Sequence, residues 1–159
     1  MLQLTVITVG TLKESYWREA LAEYEKRLSA FCKPNLIQLK ETKLPDDPAQ
    51  SEINAALSDE AKRILAAVPA RSYKIALCVE GKQFSSEELA QKIESACTEA
   101  SSLCLIIGSS YGLAPEVKAA CDLRLSVSKL TFPHQMMRVL LLEVLYRSFS
   151  ILKGSKYHK

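Results

Sequence analysis

Residues 73–79 read Tyr-Lys-Ile-Ala-Leu-Cys-Val, and residues 103–107 read Leu-Cys-Leu-Ile-Ile. Both are near-continuous apolar runs, the pattern of parallel strands that are buried on both faces. The first run precedes Glu-Gly-Lys at 80–82, which predicts a turn, and the second precedes Gly-Ser-Ser-Tyr-Gly at 108–112. Ligands of parallel sheets bind outside the carboxyl ends of the strands. These two loops, and the Ser128–Pro133 loop that follows the last predicted strand, are therefore candidate binding positions.

Strand and helix patterns alternate along the rest of the chain. The predicted strands are Leu2–Val9, Leu36–Leu39, Tyr73–Val79, Leu103–Ile107 and Leu123–Val127. The predicted helices cover Lys13–Phe31, 51–68, a segment that follows the capping box of Ser85 and Glu88, Pro115–Cys121 and Gln135–Leu152. This alternation predicts an α/β fold with a mostly parallel sheet flanked by helices. A length of 159 residues predicts a single domain over residues 1–159.

Composition excludes several classes of protein. The chain is 48% hydrophobic and 25% charged, which is unlike a disordered chain. No apolar stretch reaches the ~18 residues of a membrane span. Residues 1–10 have a strand pattern and no basic segment, unlike a signal peptide. The five cysteines form no Cys-x-x-Cys pair and the chain has two histidines, so we expect neither disulfides nor a metal site. We therefore expect a cytoplasmic protein that does not bind membranes.

Charge is concentrated near the carboxyl terminus. Residues 123–159 hold seven Lys or Arg and one acid, Glu143, while the whole chain has a net charge of +3. A basic carboxyl-terminal segment on a slightly acidic body is typical of a protein with a polyanionic partner. On charge alone, a nucleic-acid partner and a solvated basic tail remain equal alternatives.

The most unusual stretch is residues 128–138, Ser-Lys-Leu-Thr-Phe-Pro-His-Gln-Met-Met-Arg, a polar loop that leads into a Met-rich helix. The common nucleotide signatures, a Gly-x-Gly-x-x-Gly or a P-loop, are absent. From composition alone, the stretch fits a helix start with Pro133 in its first turn and Met136 and Met137 in the core as well as it fits a functional loop.

Several motifs in a fixed order carry a family resemblance. They are Val9-Gly10, Glu80-Gly81-Lys82, Ile107-Gly108, the block Ser126–Arg138, Tyr146-Arg147 and the terminal Tyr157-His158-Lys159. Together they closely resemble the RlmH family of large-subunit ribosomal RNA pseudouridine N3-methyltransferases, within the SPOUT superfamily. The resemblance runs from the first strand to the last residue, and its two most specific parts are 128–138 and 157–159.

The resemblance implies an α/β SPOUT fold with a trefoil knot near the carboxyl terminus. It also implies a homodimer that binds S-adenosylmethionine in the knot loops and needs no metal. The cofactor contacts that it implies are Leu77, Gly108, Val127, Ser128, Lys129, Leu130, Thr131 and Phe132. We expect Gly108 to let the backbone approach the ligand closely. The chain has Ser109 where the family usually repeats glycine, and this side chain either narrows the pocket or fits the same backbone.

The activity implied by the resemblance is N3-methylation of a pseudouridine in 23S ribosomal RNA on the assembled ribosome. His158 is the candidate base, because histidine titrates near neutrality. Tyr157 is a candidate for stacking on a base, and Arg147 for holding a phosphate or the N3 anion. The alternative for His158 is a terminal residue that only contacts RNA, and the alternative for Arg147 is a charge at the end of a helix.

Two other functions remain open at this point. The first is a ribosome-binding module that keeps the cofactor fold but catalyses nothing. The second is a SPOUT methyltransferase that acts on another ribosomal RNA base or on tRNA. The Tyr157-His158-Lys159 ending favours the pseudouridine target.

Overall fold

A computed structural model describes residues 1–159, in which strands and helices alternate. The strands are β1 (Leu2–Val9), β2 (Cys32–Leu39), β3 (Ser72–Lys82), β4 (Ser102–Ile107) and β5 (Leu123–Leu125). The helices are α1 (Ser15–Leu28), α2 (Gln50–Ala67), α3 (Ser86–Glu99), α4 (Pro115–Ala119) and α5 (His134–Leu152). All strand pairs are parallel, in the order β2-β1-β4-β3-β5. The predicted α/β fold with a parallel sheet is confirmed.

Apolar side chains cover both faces of the sheet. On one face, Leu4 of β1 and Leu105 of β4 pack in a cluster with residues of α1, α3 and α5. On the other face, Ile7 of β1 and Ile106 of β4 pack with α2 and α4. Every residue of β4 is buried, as its continuous apolar sequence predicted.

The second strand is longer than predicted. It begins at Cys32 and not at Leu36, and it contains Pro34. Proline lacks the N–H that a central strand would donate, so it is tolerated mainly on edge strands. Since β2 lies at the edge of the sheet, Pro34 marks an edge strand here and not only the end of the preceding helix.

The turn predicted at 80–82 was wrong, because β3 continues to Lys82. The strand is irregular there, since Leu77 and Lys82 both pair with Leu125 of the three-residue β5. An added Cβ on Gly81 would lie 2.6 Å from the carbonyl carbon of Leu125 and 2.7 Å from the backbone nitrogen of Ser126. Glycine at 81 therefore allows the end of β3 to lie against the chain that leaves β5.

Helix α5 is tied to the carboxyl end of β1 by a buried arginine. Arg138 is 2% exposed, and its Nη2 donates to the carbonyls of Val9 at 2.8 Å and Gly10 at 3.0 Å. Gly10 has a φ of +97°, a backbone conformation that favours glycine. The first turns of α5 are thereby fixed beside the edge of the sheet where ligands of parallel α/β folds bind.

No helix of the structure is both long enough and apolar enough to cross a lipid bilayer. The five cysteines are free thiols, and Cys32 and Cys104 are buried. Burial raises the pKa of the Cys104 thiol to about 12, so this side chain is an uncharged part of the core. The trefoil knot implied by the family resemblance stays a prediction.

Candidate active site

A cavity of about 560 Å³ lies at the carboxyl ends of β3, β4 and β5. Its walls come from the end of β3, the 107–113 segment after β4, and the 125–134 segment between β5 and α5. The volume lies within the ~300–1,000 Å³ that is usual for cofactor pockets. We call this cavity the pocket.

The pocket brings together most of the cofactor residues that the sequence predicted. The predicted residues that line it are Leu77, Gly108, Val127, Ser128, Leu130, Thr131 and Phe132. Lys129 is in the same loop but is not among the lining residues, and its side chain is exposed. The long-range order of the sheet, which places β3 between β4 and β5, is what joins these three segments.

The loop between β5 and α5 leaves most of its backbone polar groups without partners in the protein. Ser128 Oγ accepts from the Leu130 N–H at 3.0 Å, and the Ser128 carbonyl accepts from Ser126 Oγ at 3.1 Å. The other N–H groups of residues 127–132 make no hydrogen bond within the chain. Backbone N–H and C=O groups seek partners, so this loop offers both kinds to a ligand beside apolar walls.

Gly108 has a role within the protein that the sequence did not predict, and its predicted close approach to a ligand stays a prediction. An added Cβ would lie 2.1 Å from the carbonyl oxygen of Gly112 and 2.5 Å from its carbonyl carbon. The 108–112 turn itself therefore requires glycine, because backbone atoms occupy the space. A larger residue at 108 would disturb the wall of the pocket first and any ligand only through that wall.

Ser109, the departure from the family pattern, bonds to a buried carboxylate. Its hydroxyl donates to Glu60 Oε1 at 3.0 Å, and Glu60 Oε2 accepts from the Thr42 N–H at 3.0 Å. Glu60 is 4% exposed and Ser109 is 7% exposed. This network ties the 108–112 turn to α2 and to the loop after β2. The hydroxyl of Ser109 is thus engaged with α2.

His134 begins α5 at the edge of the pocket. Burial and the nearby Arg138 lower the pKa of its imidazole, which is therefore neutral at neutral pH. Its Nε2 is buried and has no hydrogen-bond partner.

The three predicted catalytic residues, Arg147, Tyr157 and His158, lie together in a second group. We call this group, with the partner carboxylates of Glu143 and Glu87, the tail cluster. Glu143 Oε1 accepts from Arg147 Nε at 2.9 Å and from Nη2 at 2.5 Å. Glu143 Oε2 accepts from the Tyr157 hydroxyl at 2.8 Å. The Arg147 guanidinium lies 4.7 Å from the centre of the Tyr157 ring, a cation–π distance.

The last histidine is held between two charged side chains. His158 Nε2 lies 2.8 Å from Glu87 Oε1, and His158 Nδ1 lies 3.4 Å from Arg147 Nη1. A carboxylate only accepts and a guanidinium only donates, so these contacts select the tautomer with a proton on Nε2. Hydrogen bonding to His158 also lowers the pKa of the Glu87 carboxyl.

The pocket and the tail cluster contact different parts of α5. His134 lines the pocket, whereas Arg147 belongs to the tail cluster. His134 and Arg147 are 13 positions apart, which corresponds to about 20 Å along α5 at the usual rise of 1.5 Å per residue. None of Arg147, Tyr157 and His158 lines the pocket of its own chain.

Comparisons with known proteins identify the family of this chain. A family model described as "Predicted SPOUT methyltransferase" matches residues 2–158. This chain belongs to the SPOUT methyltransferase family. A relative from Streptococcus thermophilus, named "Ribosomal RNA large subunit methyltransferase H", is 48% identical over 99% of this chain and 100% of its own length. One of the same name from Leuconostoc mesenteroides is 44% identical over the same shares. The resemblance that the motifs predicted is confirmed.

A solved structure shares the SPOUT fold at low sequence identity. It is "a probable methylase family protein from Haemophilus influenzae Rd KW20", with a TM-score of 0.55 and 18% identity. The match covers 100% of this chain and 72% of the other. At this identity the likeness concerns the fold alone, and it agrees with the predicted SPOUT architecture.

Sequence reasoning missed three acidic residues of this SPOUT site. Glu143 precedes Arg147 by four residues on α5, a helical spacing that predicts an ion pair, so this signal was present. Glu87 and Glu60 carried no such signal. Their partners, His158 and Ser109, are 71 and 49 residues away in sequence.

Removing the Ser109 hydroxyl should weaken the pocket wall. Ser109→Ala leaves Glu60 Oε1 buried without a partner, so we expect a loss of ~1–3 kcal/mol in the free energy of unfolding. Urea denaturation of Ser109→Ala, Glu60→Ala and the double variant measures it. The double variant should lose less than the sum of the single losses. Ser110→Ala, an exposed neighbour without a hydrogen bond, is the control, and an equal loss there would contradict this role.

Proposed function

We propose that this chain uses S-adenosylmethionine to methylate N3 of a pseudouridine in the 23S RNA of the assembled ribosome, in the cytoplasm. The observation that carries the proposal is the match, over 99% of the chain, to relatives named as large-subunit ribosomal RNA methyltransferases. The pocket supports the cofactor, and the tail cluster supports chemistry on a base. Of the two most specific motifs of the resemblance, residues 128–138 and 157–159, the second favours the pseudouridine target.

The residues of the pocket fit S-adenosylmethionine. Leu77, Leu130 and Phe132 provide apolar surface for an adenine ring, and the 127–132 loop provides unpartnered N–H and C=O groups for the edge of the ring. When bound, this cofactor supplies an activated methyl group on its sulfonium sulfur. The chain's task is to bind and orient it and to prepare the acceptor nitrogen. No group of His, Cys, Asp and Glu in the structure could hold a metal ion.

The acceptor N3 carries a proton near neutral pH, which it must lose before or during methyl transfer. His158 is the proposed acceptor of that proton. With Nε2–H donated to Glu87, the lone pair that remains is on Nδ1, where Arg147 now lies at 3.4 Å. A carboxylate that fixes the tautomer of a histidine base is the arrangement of a catalytic triad. Glu87 is therefore proposed as the residue that orients His158.

Arg147 and Tyr157 complete the proposed acceptor site. The guanidinium of Arg147 is suited to stabilise the N3 anion or to bind a phosphate. Glu143 forms hydrogen bonds with both Arg147 and Tyr157. Burial raises the pKa of the Tyr157 hydroxyl, and the hydrogen bond to Glu143 raises it further. Tyr157 therefore acts as a neutral ring that can stack on a base.

A homodimer would bring the two separated groups together. We propose that the tail cluster of one subunit faces the pocket of its partner, because none of Arg147, Tyr157 and His158 lines the pocket of its own chain. The partly exposed apolar residues of the first half of α5 support an interface there: Met136, Met137, Val139 and Leu140. A C₂ interface would create two equivalent composite sites.

The direct test is mass spectrometry of ribosomal RNA. Ribosomes from a strain that lacks the modification are incubated with the protein and methyl-labelled S-adenosylmethionine, and RNA fragments are then sequenced by mass. We expect one labelled methyl group on N3 of a pseudouridine of the large subunit. A protein without residues 157–159 should bind the cofactor normally and transfer almost no methyl group.

Three outcomes of that experiment would contradict the proposal. Label in tRNA or on another base would change the substrate. Tight cofactor and ribosome binding without label would indicate a non-catalytic module. If the truncated protein lost cofactor binding, the tail would contribute to the pocket, and the division between a cofactor pocket and a separate tail cluster would be wrong.

Replacing His158 tests the base. His158→Ala should lower the single-turnover rate by ~10²–10⁴ at neutral pH, the usual contribution of a general base. The loss should shrink as the pH rises, because the N3 proton then leaves without help. Lys156→Ala, a matched change in the same tail, should lower ribosome affinity and its salt dependence only slightly. A small loss that does not vary with pH would make His158 a contact residue.

A further inference from the structure

We propose that Glu80 and Lys118 form the subsite for the amino-acid end of S-adenosylmethionine, with Lys118 facing its carboxylate and Glu80 its ammonium group. This inference rests on the proposed function, because it assigns one part of the same pocket. It adds a division of the pocket into an apolar side for the adenine and a charged side for the methionine part.

The charges in the pocket are limited to one pair. Among the residues that line it, Glu80 and Lys118 alone carry a formal charge at neutral pH, since His134 is neutral. The remaining lining is apolar, hydroxyl-bearing or glycine. A ligand that fills the pocket therefore meets one carboxylate and one ammonium and no other ionised side chain. S-adenosylmethionine has one zwitterionic end and one aromatic end, which matches this distribution.

The two side chains come from different elements and meet at the pocket wall. Lys118 Nζ forms an ion pair with Glu80 Oε1. The Lys118 side chain is 22% exposed and the Glu80 side chain 54%. Lys118 stands on α4, which is anchored by the fully buried Val117. Glu80 stands on the irregular end of β3. Both charges are thus held by the fold and remain within reach of solvent and of a ligand.

The pair is suited to a zwitterion more than to a singly charged group. The hydrogen bond from Lys118 lowers the pKa of the Glu80 carboxyl, which is therefore ionised at neutral pH. A ligand that places its carboxylate near Lys118 and its ammonium near Glu80 leaves every charge beside an opposite one. A ligand with one charge would leave one member of the pair beside a like charge or unpaired, which is costly in a partly desolvated pocket.

Calorimetry with three ligands tests the subsite. S-adenosylmethionine and S-adenosylhomocysteine both carry the zwitterion, whereas 5′-methylthioadenosine lacks it and keeps the adenosine and the sulfur. Lys118→Gln and Glu80→Gln should each lower the affinity for the first two ligands about tenfold, the usual loss for a hydrogen bond to a charged group. Affinity for 5′-methylthioadenosine should change less than about twofold, because it makes no charged contact. Lys62→Gln, on the exposed side of α2, is the control and should change none of them.

Each alternative has a distinct result. An equal loss of affinity for all three ligands would show that the ion pair only links β3 to α4, and it would overturn the inference. Weakening of S-adenosylmethionine but not of S-adenosylhomocysteine in Glu80→Gln would place that carboxylate beside the sulfonium and overturn its assignment. Unchanged affinities in both variants would also overturn it. If the unaltered protein bound neither S-adenosylmethionine nor S-adenosylhomocysteine, the proposed function itself would fail.

Discussion

The arrangement of the site depends on one buried cation. Arg138 lies in the first turns of α5, and its guanidinium bonds the carbonyls of Val9 and Gly10, about 130 residues earlier in the chain. Burial lowers the pKa of Arg138, and the charge of Glu41 acts in the opposite direction. Burying a guanidinium without acceptors is costly, so the two hydrogen bonds from Nη2 favour one place for the start of α5. That place sets His134 at the edge of the pocket.

The fixed start of α5 has consequences at both of its ends. The 127–132 loop must close the distance between β5 and α5, and it does so without regular hydrogen bonds, which leaves its backbone groups for a ligand. At the other end, α5 carries Glu143 and Arg147, onto which the last residues of the chain fold back. The 19 residues of this helix therefore position two separate groups of proposed site residues.

The sequence predicted the elements better than it predicted the contacts between them. The capping box of Ser85 and Glu88 is local, and the structure confirms both of its hydrogen bonds. The burial of β4 was equally predictable, because its continuous apolar sequence can be recognised without knowing which elements contact it. By contrast, the role of Gly108 depends on the Gly112 carbonyl, which only the folded turn places beside it. Motif resemblance located the pocket residues, but it could not show that Ser109 bonds to Glu60 or that His158 bonds to Glu87.

The central claim is that the pocket of one subunit works with the tail cluster of its partner. Mixed dimers test this claim most directly. One subunit is a pocket variant, such as Leu130→Glu, that has been verified not to bind the cofactor, and the other subunit lacks residues 157–159. Each homodimer should be inactive, while random mixing should restore about one quarter of normal methylation, since half of the dimers then hold one intact composite site. No activity in mixtures whose subunit exchange has been verified by native mass spectrometry would contradict the claim.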